Sequence, residues 1–466
     1  MTKPNLFDLN LDRALRNRFL QLALKRATGA FKDLRSGIIN DLENFEELRQ
    51  RAKEAKDRVL GRLDHYLTRL EASVTQAGGR VFWASTGDEV ARYILTLARA
   101  KGLKSVVKGK SMTTEEIGLN PVLEQAGLEV LETDLGEYII QLVGERPSHL
   151  IVPAVHKTRE ETARLFQKKL GLAYTDRPEE LTRAVRDRLR GRFLSADLGV
   201  TGVNFAVAET GTLVLLENEG NIRMSSTLPR IHVAVMGLEK VVADFRDLAV
   251  LLQILPISAT GQRLPSYVSF ITGPGRHPGE GPEELHLILY DGYRTKVLAD
   301  PDFRQVLRCL RCGACLNFCP VYRRIGGHTY PWTYSGPIGV VLTAAARGLE
   351  EARDIVGAST LCRACGQVCP VMIDLPELIL EARRRLAEQT PAGPARAFDL
   401  AAHCLATPAG FDLAARGLSA AAGAMIDRQG LVRRGPEKIW GLGEGRRLPR
   451  PAEEPFRRSL FKGDEK

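Results

Sequence analysis

No stretch of this 466-residue chain approaches 18 consecutive apolar residues, so no membrane-crossing helix is expected. The opening residues Met1-Thr2-Lys3-Pro4-Asn5 carry no apolar core of the kind an export signal needs. Cysteine is scarce, eight in all, and without an export signal that excludes a disulfide-built secreted fold. Nucleotide-loop signatures are also missing. Gly109-Lys110-Ser111 ends like a phosphate loop, but Lys104 stands where its first glycine belongs. The Pro/Gly run from Gly273 to Gly279 is a loop rather than a strand-to-helix turn, so it is no dinucleotide fingerprint. The net charge is +10, yet no zinc-finger or RNA-binding signature accompanies it, and no nucleic-acid partner is expected. The excess of bases is better suited to offsetting anionic thiolates.

What the chain does have is seven of its eight cysteines between Cys309 and Pro370. The first block reads Cys309-x2-Cys312-x2-Cys315-x3-Cys319-Pro320, the second Cys362-x2-Cys365-x3-Cys369-Pro370. Short x2 steps let thiolates from one loop converge on one iron–sulfur cube, and the x3-Cys-Pro step sends the last cysteine to the neighbouring cluster. Structural zinc prefers two Cys/His pairs across a longer finger. The pattern predicts two [4Fe–4S] clusters. The first takes Cys309, Cys312, Cys315 and Cys369; the second takes Cys319, Cys362 and Cys365. Ser359 occupies the position of the missing eighth ligand. Its alkoxide, Cys404 from the C-terminal helices, or an open site with a labile iron or a [3Fe–4S] cluster are the alternatives. The open site is favoured, because an alkoxide is far harder to form than a thiolate, whose free pKa is about 8.5. Cys404, alone in a helix, is expected to be a small packing residue. Arg308, Arg311, Arg323, Arg324 and Arg363 flank the thiolates and would raise cluster potentials if they point inward. His328 reads as a turn residue.

Residues 8–75 alternate at helical spacing and predict three helices. Leu11, Leu15, Phe19 and Leu22 form one stripe; Leu34, Ile38, Leu42 and Phe45 a second; Leu60, Leu63, Leu67 and Leu70 a third. Each stripe should dock on the body, with a membrane-surface helix as the alternative. From Gly79 onward short apolar runs alternate with helical ones: strand 80–84, helix 89–102, strand 105–107, strand 128–131. Thr113-x-x-Glu116 reads as a capping box. His149–Pro153, Val200–Leu216 and Ile231–Met236 continue the strand-rich pattern. Alternation of this kind implies a parallel sheet covered on both faces. Pro337–Leu349 reads as an apolar spacer helix, followed by a helix over 377–389. Beyond Pro391-Ala392-Gly393-Pro394 come Ala-rich helices to about Met425, broken at Pro408-Ala409-Gly410, and from Gly435 an extended basic arm. The glycine-dense run from Asp197 to Thr212 contains Glu209, between an apolar strand and Gly211. That carboxylate is the one candidate nucleophile or binding group, against a role as a simple turn residue.

Several of these runs resemble a known family. Lys110-Ser111-Met112-Thr113-Thr114-Glu115-Glu116-Ile117-Gly118, Asp134-Leu135-Gly136-Glu137-Tyr138-Ile139 and the run from Val200 to Lys240 resemble the LUD (lactate-utilisation) domain. With Leu310-Arg311-Cys312-Gly313-Ala314-Cys315-Leu316-Asn317 and Ile325-Gly326-Gly327-His328 after them, the order is similar to the LutB-type lactate-utilisation iron–sulfur proteins. The resemblance implies an α/β LUD domain of the NagB/RpiA/CoA-transferase kind with N-terminal helices, followed by an α-helical ferredoxin-type two-cluster domain. The expected boundaries are 1–75 for the helical extension, 76–300 for the LUD domain, 301–385 for the cluster domain and 386–466 for the C-terminal helices and tail. The thiolates and the missing export signal suit a cytoplasmic electron-transfer subunit relaying single electrons through two clusters, and the resemblance implies an accessory role in the oxidation of L-lactate to pyruvate. Its implied partners are a cysteine-rich-domain protein and a LUD-only protein, with peripheral membrane contact left open. The alternatives are that the LUD domain is itself a hydroxy-acid or acyl-group enzyme working through Glu209, or that the chain is a scaffold with structural clusters. Fold alone does not choose between them.

Overall fold

The computed structural model of the protein describes residues 6–277, 279–389 and 393–423, with the short pairs 431–432 and 448–449. The chain divides into two units, Met1–Leu386 and Ala387–Lys466. In the second, helices Gly393–Leu405 and Pro408–Gly423 are followed by an antiparallel pair of Leu431–Val432 with Leu448–Pro449. Cys404 is exposed on the first of these helices, not the packing residue its sequence context suggested. Apart from those two pairs, the basic arm lies outside the described residues.

The first unit begins with four helices rather than three: α1 (Leu6–Arg16), α2 (Arg18–Asn40), α3 (Phe45–Leu60) and α4 (Leu63–Gln76). Asn17 makes the extra break. Its side chain caps α2 by accepting the Leu20 N–H at 3.0 Å, which an uninterrupted helix would have spent elsewhere. The stripe over Leu60, Leu63, Leu67 and Leu70 is buried as expected. The first stripe is not: Leu15, Phe19 and Leu22 are exposed, and α2 docks instead through Leu24, Thr28 and Arg35.

Ten strands follow in unit 1: β1 (Arg80–Ala84), β2 (Ser105–Lys108), β3 (Glu129–Glu132), β4 (Leu198–Gly202), β5 (Phe205–Val207), β6 (Thr212–Glu217), β7 (Ile231–Gly237), β8 (Val241–Val242), β9 (Tyr267–Ile271) and β10 (Glu284–Tyr290). Six form one all-parallel sheet in the order β1-β10-β7-β4-β2-β3. A parallel sheet must be covered on both faces, and the alternation along β7 shows how. Val233 and Val235 join Val90, Ala91 and Ile94 of the helix Gly87–Lys101 on one side. Ala234 and Met236 join Leu63, Leu67 and Leu70 of α4 on the other. The second sheet, β8-β5-β6-β9, packs on that same α4 side. The stretch His149–Pro153, expected to be strand-like, is a loop. Its His149 is used as a bridge to Asn317 beside the cysteines, across 3.1 Å.

The Thr210–Gly211 turn between β5 and β6 lies hard against α4. A Cβ on Gly211, whose φ is +71°, would stand 2.6 Å from the backbone of Ser73 and Val74. Gly102 has a similar φ of +65° but open space around it. Gly102→Ala should therefore cost only the left-handed backbone penalty, about 1–2 kcal/mol. Gly211→Ala adds overpacking of roughly 1–3 kcal/mol, so its anaerobic thermal transition should fall clearly below that of Gly102→Ala.

Candidate iron–sulfur site and the adjoining cleft

The two cysteine blocks are a structural repeat, with each position of the first loop answered fifty residues later. Arg311 and Leu361, which precede Cys312 and Cys362, both have positive φ, 61° and 53°. Gly313 and Arg363, which follow those cysteines, do too, at 72° and 65°. Helices Ala314–Phe318 and Ala364–Gln367 then start at matching positions. The backbone amides repeat as well. Ala314 and Ala364 donate to Cys312 and Cys362, and Val321 and Val371 to Cys319 and Cys369. Cys309 Sγ accepts the Arg311 N–H at 3.4 Å; at the same place in the second loop, Ser359 Oγ accepts the Leu361 N–H at 3.2 Å.

Cys309, Cys312, Cys315 and Cys369 line one cavity, closed by Leu150, Leu310, Ile338, Val371 and Ile373. Cys319, Cys362 and Cys365 are electrostatic neighbours in a second group, and Cys315 feels Cys365 across the boundary, so the groups adjoin. As free thiols the buried ones would not ionise: burial, aided by Cys309, pushes Cys312 up to about 12, and burial puts Cys369 at about 11. A metal centre removes that cost by deprotonating its thiols outright. Four convergent sulfurs, those of Cys312, Cys315 and Cys369 buried, with amide N–H groups aimed at several of them, fit the donor set of a [4Fe–4S] cluster. Two N-terminal arginines pin the second block: Arg49 donates to the Cys369 carbonyl at 3.1 and 2.9 Å, and Arg35 to Val368 at 3.1 Å. Nothing in the sequence linked residues that far apart.

Of the flanking arginines, Arg308 pairs with Asp57, Arg324 with Gln21 and Arg363, exposed, with Asp374. Arg311 is different. From between Cys309 and Cys312 it runs into the LUD-like half, donating to Tyr334 Oη at 3.1 Å and Tyr293 Oη at 2.9 Å, with Glu239 3.6 Å away. Glu239 in turn binds Arg294, which is wholly buried and holds Glu116 at 3.0 and 3.1 Å. Burial works to raise the Glu239 carboxyl, but Arg294, Lys240 and Arg311 outweigh it and hold it to about 2. Glu116 is thus no capping residue. The helix Met112–Glu116 is capped by Ser111, which accepts the Thr114 N–H at 3.3 Å. Glu116 meets Arg294 and Tyr334 instead. His328 bonds the Arg146 carbonyl at 2.7 Å and sits edge-on to His156, which pairs with Glu145.

A cleft of about 390 Å³ opens beyond the carboxyl ends of the parallel strands. Lys110 and Ser111 follow β2, Asp134 follows β3, Asn204 follows β4, and Glu239 and Lys240 follow β7. It lies at the switch point between β2 and β4, the place where such sheets bind ligands. Leu310 and Arg311 close its far wall. Glu209 is not there. It is exposed in the β5–β6 turn, 3.6 Å from Arg69, and the cleft carries Glu217 and Glu219 in its place.

These features define a LUD domain joined to an iron–sulfur module. The LUD domain model matches residues 67–290, and a 4Fe-4S dicluster domain matches 305–373. The chain belongs to the lactate utilization protein B family. It is 41% identical to Lactate utilization protein B of Shouchella clausii over 99% of this chain and 97% of that one. It is 44% identical to the Bacillus subtilis protein of the same name over 83% and 81%. The uncharacterized electron transport protein YkgF of Escherichia coli is 50% identical over 76% and 75%. Among solved structures, a DUF162 family protein from Deinococcus radiodurans covers 49% of this chain and 98% of its own, at 16% identity and a TM-score of 0.27. Among the described residues no helix is long and apolar enough to cross a membrane.

Removing the Arg294 charge strands Glu116 and Glu239 in the interior. Arg294→Met should cost about 3–5 kcal/mol in anaerobic denaturant titration. Glu209→Gln, at an exposed and weakly paired site, should stay within roughly 0.5 kcal/mol of the parent in the same titration.

Proposed function

We propose that this chain is the electron-transfer subunit of a multi-protein, cytoplasmic system that oxidises L-lactate to pyruvate. The observation that carries the reading is the repeated cysteine loop, with four sulfurs around one cavity and three in the adjoining group. The clusters supply one-electron transfer and no hydride chemistry. The chain's own part is to hold the sulfurs, aim backbone N–H groups at them, and wall off water with Leu150, Leu310, Ile338 and Ile373. Cys309, Cys312, Cys315 and Cys369 hold the first cluster; Cys319, Cys362 and Cys365 hold the second. Lactate oxidation releases an electron pair, and its division into single electrons falls to a partner subunit. The names of the relatives support the lactate assignment, and the cysteine-rich-domain and LUD-only partners follow from the family resemblance.

The second cluster has an open or weakly held fourth site. Ser359 Oγ stands where the sulfur would be and accepts the Leu361 N–H as Cys309 Sγ accepts that of Arg311, but a hydroxyl must become an alkoxide to hold iron, which is far harder than forming a thiolate.

Protein purified without air should be brown and contain acid-labile sulfide; zinc without sulfide overturns the reading. Its oxidised form should give a three-iron paramagnetic signal that added iron diminishes. Ser359→Cys should remove that signal, and Cys404→Ser should leave both clusters intact. L-lactate should bleach the clusters only when a partner subunit is present. Stoichiometric bleaching of this protein alone would assign the oxidation to this chain.

A further inference from the structure

The cleft at the strand ends contains a cationic end whose donors are not all used. Lys240 is 8% exposed, and its ammonium group makes no hydrogen bond among the described residues. Beside it, Arg311 Nη1 is buried and unpaired, although the other two guanidinium nitrogens are used. Both residues line the cleft. Glu239 faces this end as well: Arg294 holds its Oε2, while its Oε1 is buried without a hydrogen bond, 3.6 Å from Arg311 Nη2. A buried ammonium and a buried N–H without partners carry a desolvation cost that an anion seated between them would offset.

The other end has the opposite character. Glu217 is fully engaged, accepting the Ile222 and Arg223 N–H groups at 2.6 Å each. Asp134 Oδ1 accepts the Glu137 N–H at 3.0 Å. Glu219 uses one oxygen on the Leu135 N–H at 3.1 Å and has no hydrogen bond on the other. The Glu219 carboxylate is exposed at the mouth of the cleft, with Asp134, Lys110 and Glu217 the charges facing it. Its free oxygen can accept a hydrogen bond from a hydroxyl. Between the ends, Met112, Leu216, Ile222 and Leu255 give apolar walls.

The wall toward the cysteines is thin. Leu150 and Leu310 line both this cleft and the cavity of Cys309, Cys312, Cys315 and Cys369. An occupant of the cleft is therefore one leucine side chain away from the first cluster's cavity.

We propose that the cleft is a binding site for a small hydroxycarboxylate, its carboxylate on Lys240 and Arg311 and its hydroxyl toward Glu219, seated against Leu310 beside the first cysteine cavity. The site lies outside the cysteine loops, and it rests on the function proposed above only in the choice of L-lactate as probe.

The test is equilibrium dialysis of the anaerobically purified full chain with labelled L-lactate and, separately, propionate, which lacks the hydroxyl. Wild-type protein should bind lactate, and propionate more weakly. Lys240→Met should lower lactate affinity by about tenfold or more, since a charge-assisted contact is lost. Because Lys240 makes no hydrogen bond of its own, its thermal stability should stay near the parent's, whereas a lysine needed for folding would lower it. Glu219→Met should bind both acids alike, erasing the preference for the hydroxyl. Iron and sulfide content and reduction by dithionite, measured on the same samples, report on the clusters independently and should not change. A wild-type protein that does not bind lactate at tens of millimolar overturns the proposal, as does Lys240→Met with wild-type affinity. If Lys240→Met fails to fold, the Glu219→Met result decides: an unchanged lactate preference overturns the site. Loss of the clusters from the wild type would instead fail the electron-transfer reading and leave this one to the dialysis result.

Discussion

A guanidinium between two cysteines of the first block ties the first unit together. Arg311 is placed by its own backbone, in a left-handed conformation that costs a non-glycine residue about 1 kcal/mol. That cost is sustained because the side chain reaches Tyr293, Tyr334 and Glu239 in the other half of the unit. Glu239 and Glu116 are in turn anchored by Arg294, which has no exposed surface. Each member is buried, and each is tolerable only while its partners are in place. Gly237 makes the arrangement possible, since a Cβ there would collide with both Glu239 and Arg294. The cysteine loop and the strand ends are therefore one charged assembly, and the geometry of the first cluster's cavity is set partly by the sheet.

That coupling explains why the cleft and the cysteine cavity share a wall. Parallel strands deliver their loops to one edge, and β2, β3, β4 and β7 all end there. The segment Arg304–Arg308 leads from the last strand and its helix directly to Cys309. With Arg311 drawn into the ionic core, Leu310 has little choice but to lie between cleft and cavity. His149 reinforces the junction from the loop after the helix Leu135–Val143. Burial takes it down to about 4, so it stays neutral at physiological pH, accepting from Ile151 and Val152 on Nδ1 and meeting Asn317 through Nε2.

Much of this was legible in the residues, for identifiable reasons. Cysteine spacing is local, so the two blocks and their repeat could be read, with Ser359 standing at the position equivalent to Cys309. Strand–helix alternation is also local, and β1, β2, β3 and β7 fall where the apolar runs put them. Partner choice across long separations was not legible. Glu116 has the spacing of a capping residue, but a fully buried arginine 178 positions later competes for it and wins. The stripe at Leu15, Phe19 and Leu22 has helical periodicity, yet periodicity does not say which face meets the body, and α2 turned Leu24 and Arg35 inward. Glu209 drew notice because it precedes Gly211, but that glycine serves the close approach to α4 rather than a ligand. The carboxylates that reach the cleft, Glu217 and Glu219, stood in the Glu217–Asn221 run, where only their position after β6 could have marked them.

On the proposed ligand assignment, the two halves of the repeat have opposite surroundings, and that gives the relay a direction. Cys312, Cys315 and Cys369 are buried behind Leu150 and Leu310, next to the cleft. Cys362 is exposed, and so is the ion pair of Arg363 with Asp374 beside it. A partner protein can approach the Cys362 loop closely, whereas the first group is covered by α2, α3 and the strand ends. Single electrons would thus pass between a buried end facing the sheet and a surface end facing another protein. An incomplete ligand set falls at the surface end, where water can reach an open site. At the buried end, beside the ionic core, a missing thiolate would leave Arg311 and Lys240 with still less negative charge to answer.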